Sequence, residues 1–127
     1  MERVCFLPKI KVSRIVFNVV RQELNLEDVP IENHPNPINR KTKCIRIAEN
    51  KNTLILLTSA IFAGTLHFFI EILKDNQVVR RIGMFSASGN VGYDYTRKTQ
   101  EDFMKDCATE FWKAYEQVPK VKGRHIV

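Results

Sequence analysis

The stretch TLILLTSAIFAGTLHFFIEIL, residues 53–73, restricts the fold of this chain more than any other feature. A helix that crosses a bilayer needs about 20 predominantly apolar residues, and this stretch is long enough. Its second half, however, contains His67 and Glu71, and an ionisable side chain within the hydrocarbon is costly. We therefore expect no membrane span here.

The residues after Gly64 alternate between two sides, which is the period of a half-buried β-strand. One side consists of Leu66, Phe68, Ile70 and Ile72, and the other of His67, Phe69, Glu71 and Leu73. Ala63-Gly64 and Asp75-Asn76 interrupt the apolar runs with residues typical of tight hairpin turns. The pattern predicts three neighbouring strands at Thr53–Phe62, Thr65–Leu73 and Val78–Phe85.

A helix is predicted at each end of this sheet. SRIVFNVVRQELNL repeats apolar residues on one helical face, with Ser13 placed to cap it, although its β-branched residues leave a strand as the alternative. Near the other end, Thr99 and Asp102 resemble a capping box, and Pro119 stops the helix. Its apolar stripe consists of Phe103, Cys107, Phe111 and Ala114.

Between the first helix and the sheet, residues 25–43 contain Pro30, Pro35 and Pro37. Proline at this density disfavours helices and central strands, which predicts a long extended loop. Such a loop is usually functional or mobile, so it is the first candidate for a partner contact. KCIRIAE then predicts a short strand that a turn at residues 50–52 joins to the next strand.

These elements predict an α+β fold: a two-layer sandwich in which about four mostly antiparallel strands carry an N-terminal and a C-terminal helix on one face. The length of 127 residues predicts a single domain, 1–127, and residues 118–127 form a basic C-terminal tail. The three cysteines are far apart and odd in number, which favours reduced thiols over disulfides or a metal site. We predict no cofactor and no catalytic residue.

A two-layer sandwich leaves one face of its sheet uncovered, and apolar side chains there are usually hidden by another subunit. Phe69 and Leu73 occupy that face and are candidate subunit contacts, together with Pro35 and Pro37 of the loop. Trp112 lies on the flank of the apolar stripe, where it either completes the core or anchors a subunit contact.

The net charge of +6 permits an anionic partner. The candidate nucleic-acid contacts are basic or aromatic residues in the second half of the chain: Arg80, Arg81, Tyr93, Tyr95, Arg97 and Lys98. His67 and Glu71 could form a general acid–base pair, but a surface contact between neighbouring side chains is the simpler interpretation. His34 is expected at the surface.

The chain contains, in order, SRIVFNVVRQEL, the proline loop leading into KCIRIAE, the strand GTLHFFIEI and the helix after GYDYTRK. This order of elements resembles the tail-terminator (tail-completion) proteins of tailed bacteriophages. The resemblance covers most of the chain and rests on architecture, so it assigns no site residue. It implies a non-enzymatic virion protein, present in the host cytoplasm during assembly. Such a protein forms a ring, commonly a hexamer, between tail-tube and connector proteins, with DNA passing through the lumen. The alternative prediction is a small basic nucleic-acid-binding module.

Overall fold

The computed structural model describes the backbone of residues 4–7, 9–88, 91–94 and 97–118 and the side chains of residues 11–84 and 101–118. In chain order the elements are β1 (Val4–Leu7), α1 (Lys9–Glu23), β2 (Glu32–Asn33), β3 (Lys43–Glu49), β4 (Thr53–Phe62), β5 (Thr65–Lys74), β6 (Gln77–Ser88), β7 (Val91–Asp94) and α2 (Arg97–Tyr115). The basic tail lies outside the described residues from position 119 onward.

Strands β2 to β6 form one antiparallel sheet in the order β2-β3-β4-β5-β6. The three long strands predicted from the alternating pattern are present, and the predicted turns join them. Ala63 and Gly64 connect β4 to β5, and Asp75 and Asn76 connect β5 to β6. All four turn residues have positive φ, the backbone conformation that a two-residue type I′ hairpin turn requires at both central positions.

One face of the sheet, here called the helix face, packs against α1 and α2. Its strand residues are Ile45, Ile47, Ile55, Leu57, Leu66, Phe68, Ile70, Ile72 and Ile82, and each is at most 7% exposed. They form one cluster with Val16, Phe17 and Val20 of α1 and the predicted stripe of α2. Each such buried side chain contributes roughly 1.5–3 kcal/mol, so this layer is the main source of stability. The predicted α+β arrangement is confirmed, with five strands rather than about four.

Helix α1 begins at Lys9, four residues before its predicted start, so the prediction that Ser13 caps the helix is wrong. Ser13 instead lies inside the helix, and its hydroxyl shares a hydrogen bond of 2.8 Å with the hydroxyl of Ser59 in β4. The helix ends where Asn25 adopts a positive φ of 55°, and the N–H of Leu26 donates to the carbonyl of Arg21. This is a Schellman-type end, with buried Leu26 as its apolar contact.

The region between β6 and α2 differs from its prediction as a loop. Strand β6 continues to Ser88, and β7 pairs with β1 in a separate two-stranded antiparallel sheet. The sequence does not reveal this pairing, because each partner is four residues long and the two are more than 80 positions apart. Helix α2 also starts earlier than predicted, so Thr99 lies within the helix rather than capping it.

Trp112 joins the two helices. Its indole N–H donates to Glu23 at the end of α1 over 2.8 Å, and its ring packs edge-on against Phe111 and Tyr115. Of the two roles predicted for Trp112, this contact fits completion of the core. In the part of the chain that the structure describes, neither helix is long and apolar enough to cross a membrane.

The β4–β5 turn provides a test of local strain. Ala63 is exposed and has a φ of 47°, a left-handed conformation that costs roughly 1–2 kcal/mol for an L-residue with a Cβ atom. Asparagine tolerates this conformation better. We expect Ala63→Asn to raise the free energy of unfolding by up to about 1 kcal/mol, measured by urea denaturation.

Asn76→Ala is the matched control, because Asn76 has a φ of 64° in the next turn. This reverse substitution is expected to lower the free energy of unfolding. Equal stability of both variants and the wild type would contradict the proposed strain.

Candidate functional site

The second face of the sheet, here called the loop face, is covered in part by residues 34–42, here called the proline segment. Under it lies a small buried cluster of Cys44, Leu56 and Leu73, flanked by Leu54 and Val78. Leu73 is completely buried within its own chain, so the prediction that it lies on an uncovered face is wrong. The physical reason is that the predicted loop folds back over the sheet.

Hydrogen bonds fasten the proline segment at several points. The backbone N–H of His34 donates to the carbonyl of Thr42, which closes the segment on itself. The side-chain amide of Asn36 donates to the carbonyl of Asn76 in the β5–β6 turn. The amide of Asn39 donates over 2.7 Å to the carbonyl of Ile61 near the end of β4. The segment therefore has a defined conformation despite its lack of long regular structure.

The central fastening is a polar cluster of His34, Glu71 and Arg81. Glu71 Oε1 lies 2.8 Å from His34 Nε2, and Glu71 Oε2 lies 2.6 Å from Arg81 Nε. The side chains of His34 and Glu71 are fully buried, whereas that of Arg81 is 45% exposed. The prediction that His34 lies at the surface is therefore wrong, and the partner of Glu71 is His34 rather than His67.

The hydrogen bonds assign the tautomer of His34. The backbone N–H of Asn36 donates to Nδ1 over 2.9 Å, so Nδ1 is an acceptor and carries no proton. Nε2 then carries the proton and donates it to the Glu71 carboxylate. His34 is neutral in this arrangement, and the charge of Glu71 is balanced by Arg81.

The pKa of Glu71 reports the balance of these contacts. Burial raises the pKa of this carboxyl, but the polar groups of His34, Thr58 and Arg81 lower it by more, so the pKa lies below the ordinary value of 4.5. The Thr58 hydroxyl contributes from nearby without a hydrogen bond of standard geometry. We conclude that Glu71 is ionised in the folded protein at neutral pH.

This cluster can position the proline segment but offers no free base. Both ring nitrogens of His34 are engaged within the protein, and a general base needs a nitrogen that can reach a substrate proton. The described residues also contain no group of three or more His, Cys, Asp or Glu side chains that could hold a metal ion. The geometry therefore fits a structural fastening of the segment to β5 and β6.

The described cysteines are unreactive in this environment. Cys44 and Cys107 are free and buried, as predicted for reduced thiols. Burial raises the pKa of each thiol to about 12, so the reactive thiolate is scarce at neutral pH. The side chain of Cys5 lies outside the described residues.

Part of the loop face remains open beyond the proline segment. Phe62, His67 and Phe69 are half-buried and form an aromatic ledge, in which the rings of His67 and Phe69 are parallel with centroids 6.0 Å apart. Gly83, paired with Phe69 across the strands, has no heavy atom within 4 Å of the place a Cβ would take. Open space therefore lies at Gly83, across the strands from Phe69.

The predicted contact residues fall into separate places. Pro35 and Pro37 are exposed on the outer side of the proline segment, whereas Trp112 lies between the two helices. Arg80 and Arg81 are exposed on β6. For Tyr93, Arg97 and Lys98 the structure describes only the backbone, in β7 and at the start of α2, and Tyr95 lies outside the described residues. These predicted nucleic-acid contacts therefore stay predictions.

The sequence contained one signal for the missed cluster. Glu71 stands in the most apolar run of the chain, and a buried carboxylate must be paired because its desolvation is costly. Arg81 could have been anticipated as a partner across a hairpin, since both residues lie near the Asp75-Asn76 turn. His34 could not, because its approach depends on the path of the proline segment.

A comparison of the chain with protein-family models, with curated proteins and with solved structures finds no match.

Removal of the Glu71 charge tests the fastening. The glutamine of Glu71→Gln has only one acceptor oxygen for two donors. If this oxygen accepts from His34, the amide N–H₂ group meets the Arg81 donor. If it accepts from Arg81, His34 is left without an acceptor. We expect the free energy of unfolding at pH 7 to fall by about 2–3 kcal/mol. Glu49→Gln is the control, because Glu49 is half exposed and its ion pair with Arg46 is worth little.

The difference in stability between the wild type and Glu71→Gln has a predicted pH dependence. The pKa of Glu71 is lower in the folded than in the unfolded state. The contribution of the Glu71 charge to the free energy of unfolding is therefore complete above the ordinary pKa of 4.5. It is lost as the pH falls through the pKa of the folded state. The difference in stability between wild type and Glu71→Gln should therefore shrink in acid, measured by urea denaturation between pH 7 and 3. A difference that is constant with pH would rule out the charged fastening.

Proposed function

We propose that this protein is a non-enzymatic assembly component that binds further copies of itself through the outer side of the proline segment. The observation that carries the proposal is the way this segment is held. Its polar side chains at positions 34, 36 and 39 bond to the sheet or to the segment itself, whereas Pro35, Pro37 and Ile38 are exposed. The fold thus fixes a loop whose apolar residues face solvent.

Such an arrangement favours binding to another protein. Ordering a chain costs about 1–2 kcal/mol per residue in backbone entropy, and a segment that is already fastened has met this cost before a partner arrives. Preorganisation of this kind increases affinity. Exposed apolar residues on a fixed loop are also a common feature of interaction surfaces.

In its most specific form the proposal is a ring-forming tail terminator or head–tail connector component of a bacteriophage virion. Its support is the resemblance in the order of elements, together with the α+β arrangement of two helices on an antiparallel sheet. The partners would be further copies of this chain, tail-tube proteins and connector proteins. The basic charge is compatible with DNA in the lumen of the ring.

A substitution at Ile38 tests self-association through the proline segment. Ile38→Asp places a charge on the outer side of the segment and is expected to weaken association at least about tenfold, since a hot-spot residue at the centre of an interface contributes about 2 kcal/mol or more. Sedimentation velocity over a range of protein concentrations measures the change.

Met104→Asp is the matched control, because Met104 on α2 has the same 37% exposure as Ile38. The control should leave association unchanged. A wild-type protein that remains monomeric at high concentration, or an equal loss in both variants, would refute the proposal.

A second candidate function is binding of single-stranded nucleic acid on the aromatic ledge. Aromatic side chains next to cations stack on bases without regard to sequence. The ledge supplies Phe62, His67 and Phe69, and Arg81 lies two residue pairs away from Phe69 along the β5–β6 hairpin. The exposed part of the Arg81 guanidinium could meet a phosphate.

Phe69→Leu separates stacking from packing, because leucine keeps the apolar contact but cannot stack. We expect it to weaken binding of a short single-stranded oligonucleotide by about tenfold at low salt, since stacking contributes roughly 1–3 kcal/mol per base. Phe69→Tyr should retain binding. Fluorescence anisotropy that detects no affinity even at low salt would eliminate this function.

A further inference from the structure

A cleft of about 520 Å³ lies between α1 and the edge of the sheet at β2. It is lined by Ser13, Arg14, Phe17, Ile31, Glu32, Asn33 and Lys43. The cleft forms because β2 is only two residues long and pairs with β3 only at Lys43 and Cys44, so the strand does not extend along α1. Its volume is within the range of small-molecule sites in proteins.

The two walls of the cleft each contribute one cation. Arg14 comes from α1 and Lys43 from the first position of β3. Glu32 does not cancel them, because its carboxylate binds Arg46 over 2.9 Å. Glu32 pairs with Cys44 of the loop face, whereas Asn33 pairs with Lys43, so successive side chains of β2 point to opposite faces. The cleft is therefore positively charged.

Polar and apolar groups occupy different parts of the lining. The side-chain amide of Asn33 accepts a hydrogen bond from the Lys43 ammonium group, and the Ser13 hydroxyl is held by Ser59, so both walls are ordered. Phe17, almost fully buried, and Ile31, 37% exposed, supply apolar surface. A few placed polar groups beside apolar surface are typical of a site for a small organic molecule.

We propose that this cleft binds a small organic anion in which one carboxylate or phosphate group is attached to an apolar body. The planar guanidinium of Arg14 can hold two oxygens of either group, and the Lys43 ammonium group adds a point charge from the opposite wall. The apolar body lies against Phe17 and Ile31. This site is independent of the outer side of the proline segment and of self-association.

The probes are phenyl phosphate and benzoate, with benzyl alcohol as the neutral control. We expect both anions to bind saturably to the full chain in isothermal titration calorimetry, and benzyl alcohol to bind at least about tenfold more weakly, since hydrogen bonds to charged groups are among the stronger ones. Stronger binding of phenyl phosphate than of benzoate identifies a phosphate site, and the reverse order a carboxylate site. Either order supports an anion site.

Variants locate the site. Arg14→Gln and Lys43→Gln each remove one charge and should raise the dissociation constant of phenyl phosphate by about tenfold. Lys51→Gln is the matched control, because Lys51 is exposed in the β3–β4 turn away from the cleft and should have no effect. In ¹⁵N-resolved NMR spectra, phenyl phosphate should shift the amide signals of residues 13, 14, 31–33 and 43.

Three results would overturn the proposal. The first is the absence of saturable binding of either anion at a concentration of about 10 mM, which is ten times a dissociation constant of about 1 mM. The second is an equal loss of binding in all three variants, which would indicate general attraction to a basic protein. The third is equal binding of benzyl alcohol, which would make the cleft an apolar site. An unchanged urea unfolding curve for each variant shows that lost binding is not lost folding.

Discussion

The carboxylate of Glu71 is the constraint around which the loop face is organised. A charge in this position cannot remain unpaired, because its desolvation in a protein interior costs several kcal/mol. The chain satisfies it with one donor from the neighbouring strand and one from a segment 37 positions earlier in the sequence. A local electrostatic requirement therefore fixes a long-range feature of the fold, namely the path of the proline segment across the sheet.

The two faces of the sheet are stabilised by different means. The helix face depends on apolar burial by two amphipathic helices, which is general and tolerant of substitution. The loop face has a small apolar cluster, and directional hydrogen bonds from Asn36, Asn39 and His34 supplement it. Such bonds specify one conformation more strongly than they add net stability. This division explains how a segment with two prolines becomes a defined surface.

The sequence predicted the elements whose signals are local. Alternation after Gly64, turn residues at Asp75-Asn76 and the stripe of the final helix each depend on neighbours within a few positions. The predicted start of α1 is wrong because the local sequence around Ser13 is that of a capping serine. The hydrogen bond that Ser13 shares with Ser59 of β4 inside the helix is not visible in that local sequence. The role of His34 and the pairing of β1 with β7 were missed because both depend on residues that are distant in the chain. The cleft at β2 depends on where a strand stops, which local pattern does not determine.

Strand β6 forms one edge of the five-stranded sheet, and its pairing with β5 is interrupted at two places. Val79 and Met84 are the extra residues at these bulges, and two arginines follow Val79. An irregular, charged edge is a poor template for the strands of other molecules. This edge of the sheet therefore disfavours edge-to-edge pairing of β6 with a strand of another molecule.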